Sequence, residues 1–373
     1  MPRESRSTAG LRAQDEKSHI GYQPVVEVVR GRVVESVHYG AVAVADAQGN
    51  LHAWWGDPET ATFLRSSAKP FQALPLVESG AADRFGLTPA HLAVICASHS
   101  GTDEHLEMVR SVQALAGVRE GDLLCGAHPP LDPETARRLR AGGEEPTSNR
   151  HNCSGKHTGM LALCQFLGLP LAGYTDPSHP VQERILHAFA EMCGISPEEI
   201  GVAIDGCSVP TFAIPLLSAA TAYARLGDPS GLPPSRAAAC RRIFASMASN
   251  PFLVAGPERF DTRLMEAGGG RVVAKGGAEG YHGIALAPGV AGPGSPALGI
   301  ALKISDGDQG RPSDKPPGQR AGARTVLAVL GELGALDASQ RRRLAEFEEG
   351  RLTNWRGLVV GEIRACLRLE RAR

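Results

Sequence analysis

Short apolar segments with the two-residue alternation of β-strands lie near the beginning of the chain. Residues 25–29 are rich in β-branched side chains, and residues 36–45 alternate between core and surface positions. The sequence DAQGN at 46–50 separates the second segment from a third at 51–55. Turn residues between two alternating runs are typical of a β-hairpin, so we predict one here.

The middle of the chain has the apolar spacing of amphipathic helices. From about residue 70 to residue 267, apolar residues recur at i, i+3 and i+4, and prolines or capping residues stand at the segment starts. We predict helices at 70–79, 103–116, 133–140, 156–168, 180–193, 213–226, 234–248 and 257–267.

Strand character returns in the last third of the sequence. We predict strands at 271–275, 281–287, 297–304 and near 355–365, with helices at 322–334 and about 338–348. Strands at both ends with helices between them favour an α/β (α+β) fold, with one antiparallel sheet built from both chain termini and an inserted, mostly helical lobe.

This order of elements predicts one unit of two lobes over residues 21–365. The sheet lobe is expected at about 21–65 and 270–365, and the helical lobe at about 70–268. Ligand sites commonly form between lobes, so we expect a functional site in the cleft.

The composition predicts a soluble globular chain. Of the 373 residues 42% are hydrophobic, and the formal net charge of −1 gives no basis for binding nucleic acid or a membrane surface. No run of eighteen apolar residues predicts a membrane span, and the polar start lacks the apolar core of a signal peptide. The eight cysteines form no C-x-x-C motif, so we expect reduced thiols and a cytoplasmic location. We expect a disordered leader at 1–20 and a Pro-rich surface loop at 309–321.

Three short polar stretches lie beside apolar segments, and their order matches a known catalytic pattern. They are SSAK at 66–69, SHS at 98–100 and KGG at 275–277. Enzymes that use a serine nucleophile with lysines carry S-x-x-K, S-D-N and K-T-G in this order. Residues at i and i+3 of a helix share a face, so a lysine there can take the proton of the serine. We predict that the catalytic residues are Ser66, Lys69, Ser98 and Lys275.

A structural explanation of the first stretch stays open, because Ser66 would also cap a helix that begins near Pro70. A catalytic lysine needs a lowered pKa, since the ordinary pKa of ~10.4 leaves about one molecule in a thousand neutral at pH 7.4. A pKa of ~7.5 requires roughly 4 kcal/mol of burial and like-charge repulsion. We expect Lys275 to supply part of that repulsion towards Lys69.

A second polar cluster contains two cysteines, in HNCSGKH at 151–157 and DGCS at 205–208. At the start of a helix, Cys153, Lys156 and His157 would share one face. One interpretation is a helix start with a buried free cysteine. The other is a zinc site, which needs two thiolates and one or two further donors. His157 is the expected donor, but Lys156 is permissible, because ~4 kcal/mol of deprotonation is small beside the ~10–16 kcal/mol of structural zinc binding.

Taken together, five motifs resemble those of the rhizobial-type asparaginase II family. They are RSSAKPFQ at 65–72, CASHSG at 96–101, HNCSGKH at 151–157, DGCSVPTF at 205–212 and AKGG at 274–277. The resemblance covers roughly residues 24–365. It implies hydrolysis of L-asparagine to L-aspartate and ammonia, a fold similar to serine β-lactamases and glutaminases, and a homodimer.

The resemblance implies two Ser-Lys pairs, Ser66 with Lys69 and Ser98 with Lys275. The expected reaction is acyl transfer, in which a serine attacks the side-chain amide, a neutral lysine accepts its proton, and water later hydrolyses the ester. Which serine is the nucleophile stays open, and we favour Ser66 because local spacing fixes its lysine.

The resemblance also implies one Zn²⁺ ion per chain and no organic cofactor. Cys153, Lys156 and Cys207 match the positions that hold zinc beside the active site in characterised members, where water would complete the tetrahedron. Whether the metal serves turnover or only supports the site stays open.

A free amino acid also requires groups that recognise its ammonium and its carboxylate. Candidate substrate-binding residues in these motifs are Arg65, His99, His157 and Asp205, although a structural role is an equal alternative for each. Asparagine and glutamine differ by one methylene, worth only ~1–3 kcal/mol, so the sequence does not distinguish these two substrates.

Two other functions stay open. The motif order also matches a β-lactamase or another penicillin-recognising serine hydrolase, but the third motif is KGG without the middle threonine, and no export signal is evident. A protein of another class, a non-catalytic binding protein stabilised by zinc, would use the cysteine cluster as a structural link.

Overall fold

Antiparallel strands from both ends of the described chain form the main sheet. The computed structural model describes residues 21–308 and 320–372. Its strands are β1 (Gln23–Arg30), β2 (Val33–Asp46), β3 (Leu51–Trp55), β4 (Ala61–Phe63), β5 (Gly201–Ile204), β6 (Pro210–Pro215), β7 (Val272–Gly277), β8 (Tyr281–Leu286), β9 (Leu298–Ile304), β10 (Arg351–Thr353), β11 (Val359–Ala365) and β12 (Glu370–Arg371). Nine of these pair in the order β10-β11-β1-β2-β9-β8-β7, with β3 beside β2 and β12 beside β3. The predicted fold class and the sheet built from both chain ends are confirmed.

Strand β2 connects the parts of the sheet because it is long enough to have three partners. Its first half pairs with β1, from Val33 opposite Arg30 to Gly40 opposite Gln23. Its second half pairs with β9 on one side and with β3 on the other. At the change of partner, a Cβ on Gly40 would lie 2.7 Å from the carbonyl oxygen of Lys303, so only glycine allows this close approach.

Most of the helices lie between β4 and β7, as predicted. In chain order the helices are α1 (Lys69–Gln72), α2 (Leu74–Glu78), α3 (Ala81–Arg84), α4 (Pro89–Ile95), α5 (Asp103–Ala116), α6 (Pro133–Ala141), α7 (Ser154–Leu167), α8 (Pro180–Cys193), α9 (Leu216–Gly227), α10 (Pro234–Ser249), α11 (Pro251–Val254), α12 (Phe260–Ala267), α13 (Gly322–Glu332), α14 (Ala338–Arg343) and α15 (Ala345–Glu348).

Helix α9 packs directly on the middle of the main sheet. A side chain at Gly299 of β9 would clash with the backbone of Ala220, and one at Gly283 of β8 would clash with the ring of Tyr223. These two glycines therefore let the helix lie close to the strands. Successive strand residues point to opposite faces, so His282, which contacts the start of α13, lies on the other face.

The structure corrects the prediction that the chain is helical throughout 213–226. Strand β6 occupies the start of that range and pairs antiparallel with β4 and β5 in a small second sheet, and α9 begins only at Leu216. Prolines at both ends of the buried segment Pro210–Pro215 disfavour helix, while its β-branched and aromatic residues fit a strand.

Two predicted elements near the carboxyl end are also divided differently. The predicted helix at 338–348 is two short helices, α14 and α15, separated at Leu344. The predicted strand at 355–365 begins at Val359, because Asn354 and Leu358 close a turn that pairs β10 with β11.

The predicted leader at 1–20 and residues 309–319 of the predicted Pro-rich loop lie outside the described residues. Of the helices described here, none is both long and apolar enough to cross a membrane. All eight cysteines fall in the described ranges, and each is a free thiol.

Candidate active site

Ser66 and Lys69 lie where the chain passes from β4 to α1. The segment Arg65–Ala68 forms one turn of 3₁₀ helix, and Lys69 begins α1 directly after it. Side chains three residues apart are eclipsed in such a turn, so the predicted shared face is retained. No side chain caps this turn or α1, which argues against the alternative that Ser66 is a helix cap.

Ser98 lies in the loop after α4, and its hydroxyl contacts that of Ser66. Ser98 Oγ donates a hydrogen bond of 3.3 Å to Ser66 Oγ, and Asn152 Nδ2 donates one of 3.0 Å to Ser98 Oγ. The backbone N–H of Ser98 is held by the carbonyl of Val254 at 3.0 Å. Three separate segments of the chain therefore fix the two hydroxyl groups against each other.

Lys69 is buried, and its amine is directed to backbone carbonyls. Nζ donates to the carbonyl of Ala97 at 2.7 Å and to that of Asn152 at 3.3 Å. Ala97 precedes Ser98 in the chain, and Asn152 is the residue whose side chain donates to Ser98 Oγ. Within the described chain, the hydrogen bonds of Lys69 do not include one to Ser66, although the sequence analysis pairs these two residues.

Lys275 lies in β7, is 1% exposed, and has a lowered pKa. Burial lowers the pKa to about 7, helped by the charge of Lys69 and opposed by the carboxylate of Asp261. Its Nζ donates to the carbonyl of Gly276 at 2.6 Å. The sequence analysis expected Lys275 to help lower the pKa of Lys69. The structure shows a lowered pKa for Lys275, with the charge of Lys69 among its causes.

The sequence analysis did not identify Asp261, which lies next to Lys275. Its carboxylate accepts the backbone N–H of Gly276 at 2.7 Å and is fully buried in α12. Burial acts to raise the pKa of Asp261, but the charges of Lys275 and His282 outweigh it and lower the pKa. Asp261 lies in an amphipathic helix outside the motifs named above, so no sequence pattern indicated that its carboxylate is buried beside a lysine.

An open cavity of about 240 Å³ is lined by both serines and Asp261 but not by Lys69 or Lys275. The residues on its wall that bear on the chemistry are Ser66, Ser98, Asn152, Arg259, Asp261 and His282. The volume suits a small polar molecule, and the two serines are directly accessible from it. Asn152 lies within the singled-out motif at 151–157 but had no predicted role.

None of the four predicted substrate-binding residues lines this cavity. Arg65 Nε and Asp205 Oδ1 form an ion pair of 2.7 Å beside it. Arg65 has a φ of +51°, a left-handed conformation that is uncommon for a side chain with a Cβ. The ion pair holds the guanidinium next to Ser66, and its role in binding stays a prediction.

Both predicted histidines are buried and engaged with protein groups. His99 accepts the N–H of Gly101 at Nδ1 and bonds Ser154 Oγ at 2.9 Å through Nε2. His157 Nδ1 bonds the hydroxyl of Tyr174 at 2.5 Å. Burial holds the pKa of both rings well below the ordinary value, so each ring is neutral. These contacts favour the structural alternative for the two residues.

The three predicted metal ligands come together beneath the ion pair. Lys156 Nζ lies 3.0 Å from Cys207 Sγ, and Cys153 shares a hydrogen bond with Cys207. That bond lowers the pKa of Cys153 well below its ordinary value and raises that of Cys207. Burial acts to lower the pKa of Lys156, but the two sulphurs outweigh it and raise it.

Two sulphurs and one amine meeting in a buried site fit a zinc ion. Thiolates are preferred zinc ligands, and three protein donors leave a fourth position for water. No group of three His, Cys, Asp or Glu side chains in the described ranges, this cluster included, is placed to hold a metal, so a site here depends on the amine of Lys156 as third ligand. Lys156, and not His157, is the donor that lies against Cys207.

Comparison with known proteins gives a family match over most of the chain. The sequence profile of the L-asparaginase II family matches residues 26–365. None of the curated proteins compared with the chain matches it.

Several solved structures are similar at low identity. A probable glutaminase of Bacillus subtilis is 14% identical, with a TM-score of 0.36 over 80% of this chain and 89% of that one. The Bacillus subtilis glutaminase in covalent complex with 5-oxo-L-norleucine is 12% identical, with a TM-score of 0.36 over 80% and 88%. A protein named Mglu is 17% identical with a TM-score of 0.34, over 80% of this chain, and this chain spans 65% of that one.

The family match includes all of the motifs described above. It spans the main sheet, the helices between β4 and β7, and the segments that carry both serines and both lysines. The chain therefore belongs to the L-asparaginase II family, a family of amidohydrolases.

Proposed function

We propose that the protein hydrolyses the side-chain amide of L-asparagine to L-aspartate and ammonia through a serine ester. The observation that carries this proposal is the contact between Ser66 and Ser98 on the cavity wall, beside a buried Lys275 with a pKa of about 7. At neutral pH a large fraction of this lysine is uncharged and able to accept a proton.

In the first step, Ser66 Oγ attacks the amide carbon and forms a C–O bond. The serine proton passes to Ser98, whose own hydroxyl proton passes to neutral Lys275. Collapse of the tetrahedral intermediate breaks the C–N bond, and the nitrogen takes a proton from Lys275 and leaves as ammonia. Water then attacks the ester by the same proton path, releasing aspartate and restoring Ser66.

The proposed path requires two movements. The Ser98 hydroxyl, which donates to Ser66, must turn its hydrogen towards Lys275, and the Lys275 side chain must move. Its Nζ donates to the Gly276 carbonyl, so the chain must rotate to reach Ser98. Lys69 has a supporting role in this scheme. Its amine donates to the carbonyls of Ala97, the residue before Ser98, and of Asn152, whose side chain donates to Ser98.

We propose that Cys153, Lys156 and Cys207 hold one Zn²⁺ ion. Bound there, the ion would supply Lewis-acid charge and a rigid link between α7 and the turn before β6. Binding through Lys156 requires loss of its proton, so zinc uptake must release protons and weaken at low pH. The homodimer and the cytoplasmic location remain predictions.

Ammonia release from a substrate panel tests the proposed activity. The panel contains L-asparagine, L-glutamine, N-acetyl-L-asparagine and benzylpenicillin, the last measured by ring opening. We expect ammonia from L-asparagine and no penicillin hydrolysis. Activity on penicillin alone would establish the serine-hydrolase alternative, and inertness towards all four would favour the binding protein.

The nucleophile is identified by trapping the ester. We expect acid-quenched protein to carry an aspartyl adduct on the peptide that contains Ser66, and Ser66→Ala and Lys69→Ala each to lower kcat by several orders of magnitude. Ser249→Ala, remote and exposed on α10, is the matched control. An adduct on Ser98 would reverse the assignment of the two serines.

Zinc is tested by elemental analysis of the purified protein. We expect one equivalent in the parent and in Cys366→Ala, whose cysteine lies away from the cluster. The double variant Cys153→Ala/Cys207→Ala should contain almost none. Equal zinc content in all three proteins would exclude this site.

A further inference from the structure

One cation on the wall of the cavity has no hydrogen-bond or ion-pair partner among the described residues. Arg259 precedes α12 and lines the cavity that contains Ser66 and Ser98. Its guanidinium forms no hydrogen bond or ion pair with any residue of the described ranges. By contrast, Arg263, one turn further along, forms ion pairs with Glu258 and Glu266.

The other cations near Ser66 are already engaged. Arg65 is paired with Asp205, and the amines of Lys69 and Lys275 donate to backbone carbonyls and are 1% exposed. None of these three side chains lies on the cavity wall. Arg259 is therefore the cation that remains available to an anion entering the cavity.

We propose that Arg259 binds the α-carboxylate of the amino-acid substrate while its side-chain amide lies at the two serines. The inference rests on the proposed function and names the residue that selects a free amino acid. A guanidinium has a planar fork of donors that matches the two oxygens of a carboxylate. Arg259 is half-buried and has no partner in the part of the chain that the structure describes, so its guanidinium is already partly removed from water before a carboxylate binds.

The proposal has a consequence for specificity. A substrate whose carboxylate is removed or blocked leaves the guanidinium unpaired, and the loss of a charge-assisted bidentate contact lowers binding. 3-Aminopropanamide keeps the amine and the amide of asparagine but lacks the carboxylate. It is the matched probe for Arg259.

Kinetics with both substrates tests this role in the parent, in Arg259→Gln and in Arg263→Gln as the exposed control. The assays are made at pH 8.5, where Lys275 is mostly neutral, because Arg259 also helps to lower the pKa of Lys275 after burial and Lys69. For Arg259→Gln we expect KM for L-asparagine to rise about 30- to 100-fold with kcat nearly unchanged. We expect the same variant to hydrolyse 3-aminopropanamide like the parent.

Equal losses on both substrates would show that Arg259 only supports the structure, and no loss on either would show that it does not touch substrate. Calorimetric titration with L-aspartate separates this inference from the proposed activity. If the parent releases no ammonia, the activity fails, yet aspartate binding that disappears in Arg259→Gln still supports the carboxylate site. Equal aspartate binding by both proteins would overturn it.

Discussion

Ser67 Oγ donates a hydrogen bond of 2.5 Å to the carbonyl oxygen of Lys275, 208 residues away in sequence. The hydroxyl of Tyr223 in α9 donates in turn to the carbonyl of Ser67 at 2.7 Å. Both contacts are buried. They fix the turn that carries Ser66 against β7, so that the serine and the lysine of the two predicted pairs belong to one rigid assembly.

Ser67→Ala tests the importance of this link. Removing the hydroxyl takes away one buried hydrogen bond, worth about 1 kcal/mol of folding stability, and loosens the position of Lys275. We expect a lower Tm and a kcat reduced about tenfold with little change in KM. The control is Ser246→Ala, since Ser246 is a buried serine whose hydroxyl has no partner among the described residues. A kcat equal to that of the control would mean that the link does not position the lysine.

The pKa of Lys275 predicts how activity depends on pH. Burial brings the pKa to about 7, and the proposed mechanism requires the neutral amine. Below pH 7 the neutral fraction falls about tenfold per pH unit, so kcat/KM should fall with the same slope and level off above pH 8. The measurement is a pH profile of kcat/KM between pH 5 and pH 9. A profile that is flat between pH 5.5 and pH 8 would exclude Lys275 as the base.

Asp261→Asn should move this profile in a known direction. The carboxylate of Asp261 raises the pKa of Lys275 against the effect of burial, so its neutralisation should lower that pKa further. The acid limb of kcat/KM should therefore shift to lower pH, and more of the activity should survive at pH 6 relative to pH 8. Asparagine keeps an oxygen that can accept the N–H of Gly276, so the strand geometry is preserved. A shift to higher pH would contradict the assigned interaction.

The sheet could be predicted from the sequence because its pattern is local. Alternation at 36–45 and β-branched residues at 25–29 identify strands by themselves, and their position at the chain ends indicates a shared sheet. Strand β6 could not be identified in this way. Its residues continue into the apolar spacing of α9, which conceals the local strand signals, and the pairing with β4 and β5 that makes it a strand comes from distant segments.

The candidate site likewise contains residues that the sequence predicts and residues that it does not. Ser66, Ser98 and Lys275 lie in motifs whose order carries the information, so the sequence identifies them without knowledge of distances. Asp261 and Arg259 belong to no motif. Their roles depend on a helix that brings them to a strand and a cavity contributed by distant segments. The lowered pKa of Lys275 likewise follows from its burial in three dimensions.

Asn152 provides the sharpest test of the proposed path of the proton. Its Nδ2 donates to Ser98 Oγ and so holds that oxygen 3.3 Å from Ser66 Oγ, where it can receive the proton of Ser66. Asn152→Ala removes this donor, and we expect kcat to fall about tenfold because the Ser98 hydroxyl loses one fixed orientation. In Asn152→Asp the introduced carboxylate accepts from Ser98 instead, draws its hydrogen away from Lys275, and should lower kcat more than alanine does. Steady-state kinetics of both variants with L-asparagine at pH 8 makes the comparison, with KM measured to separate positioning from binding. If the carboxylate variant is as active as the parent, Ser98 does not relay the proton of Ser66, and Ser66 must transfer it directly to a lysine.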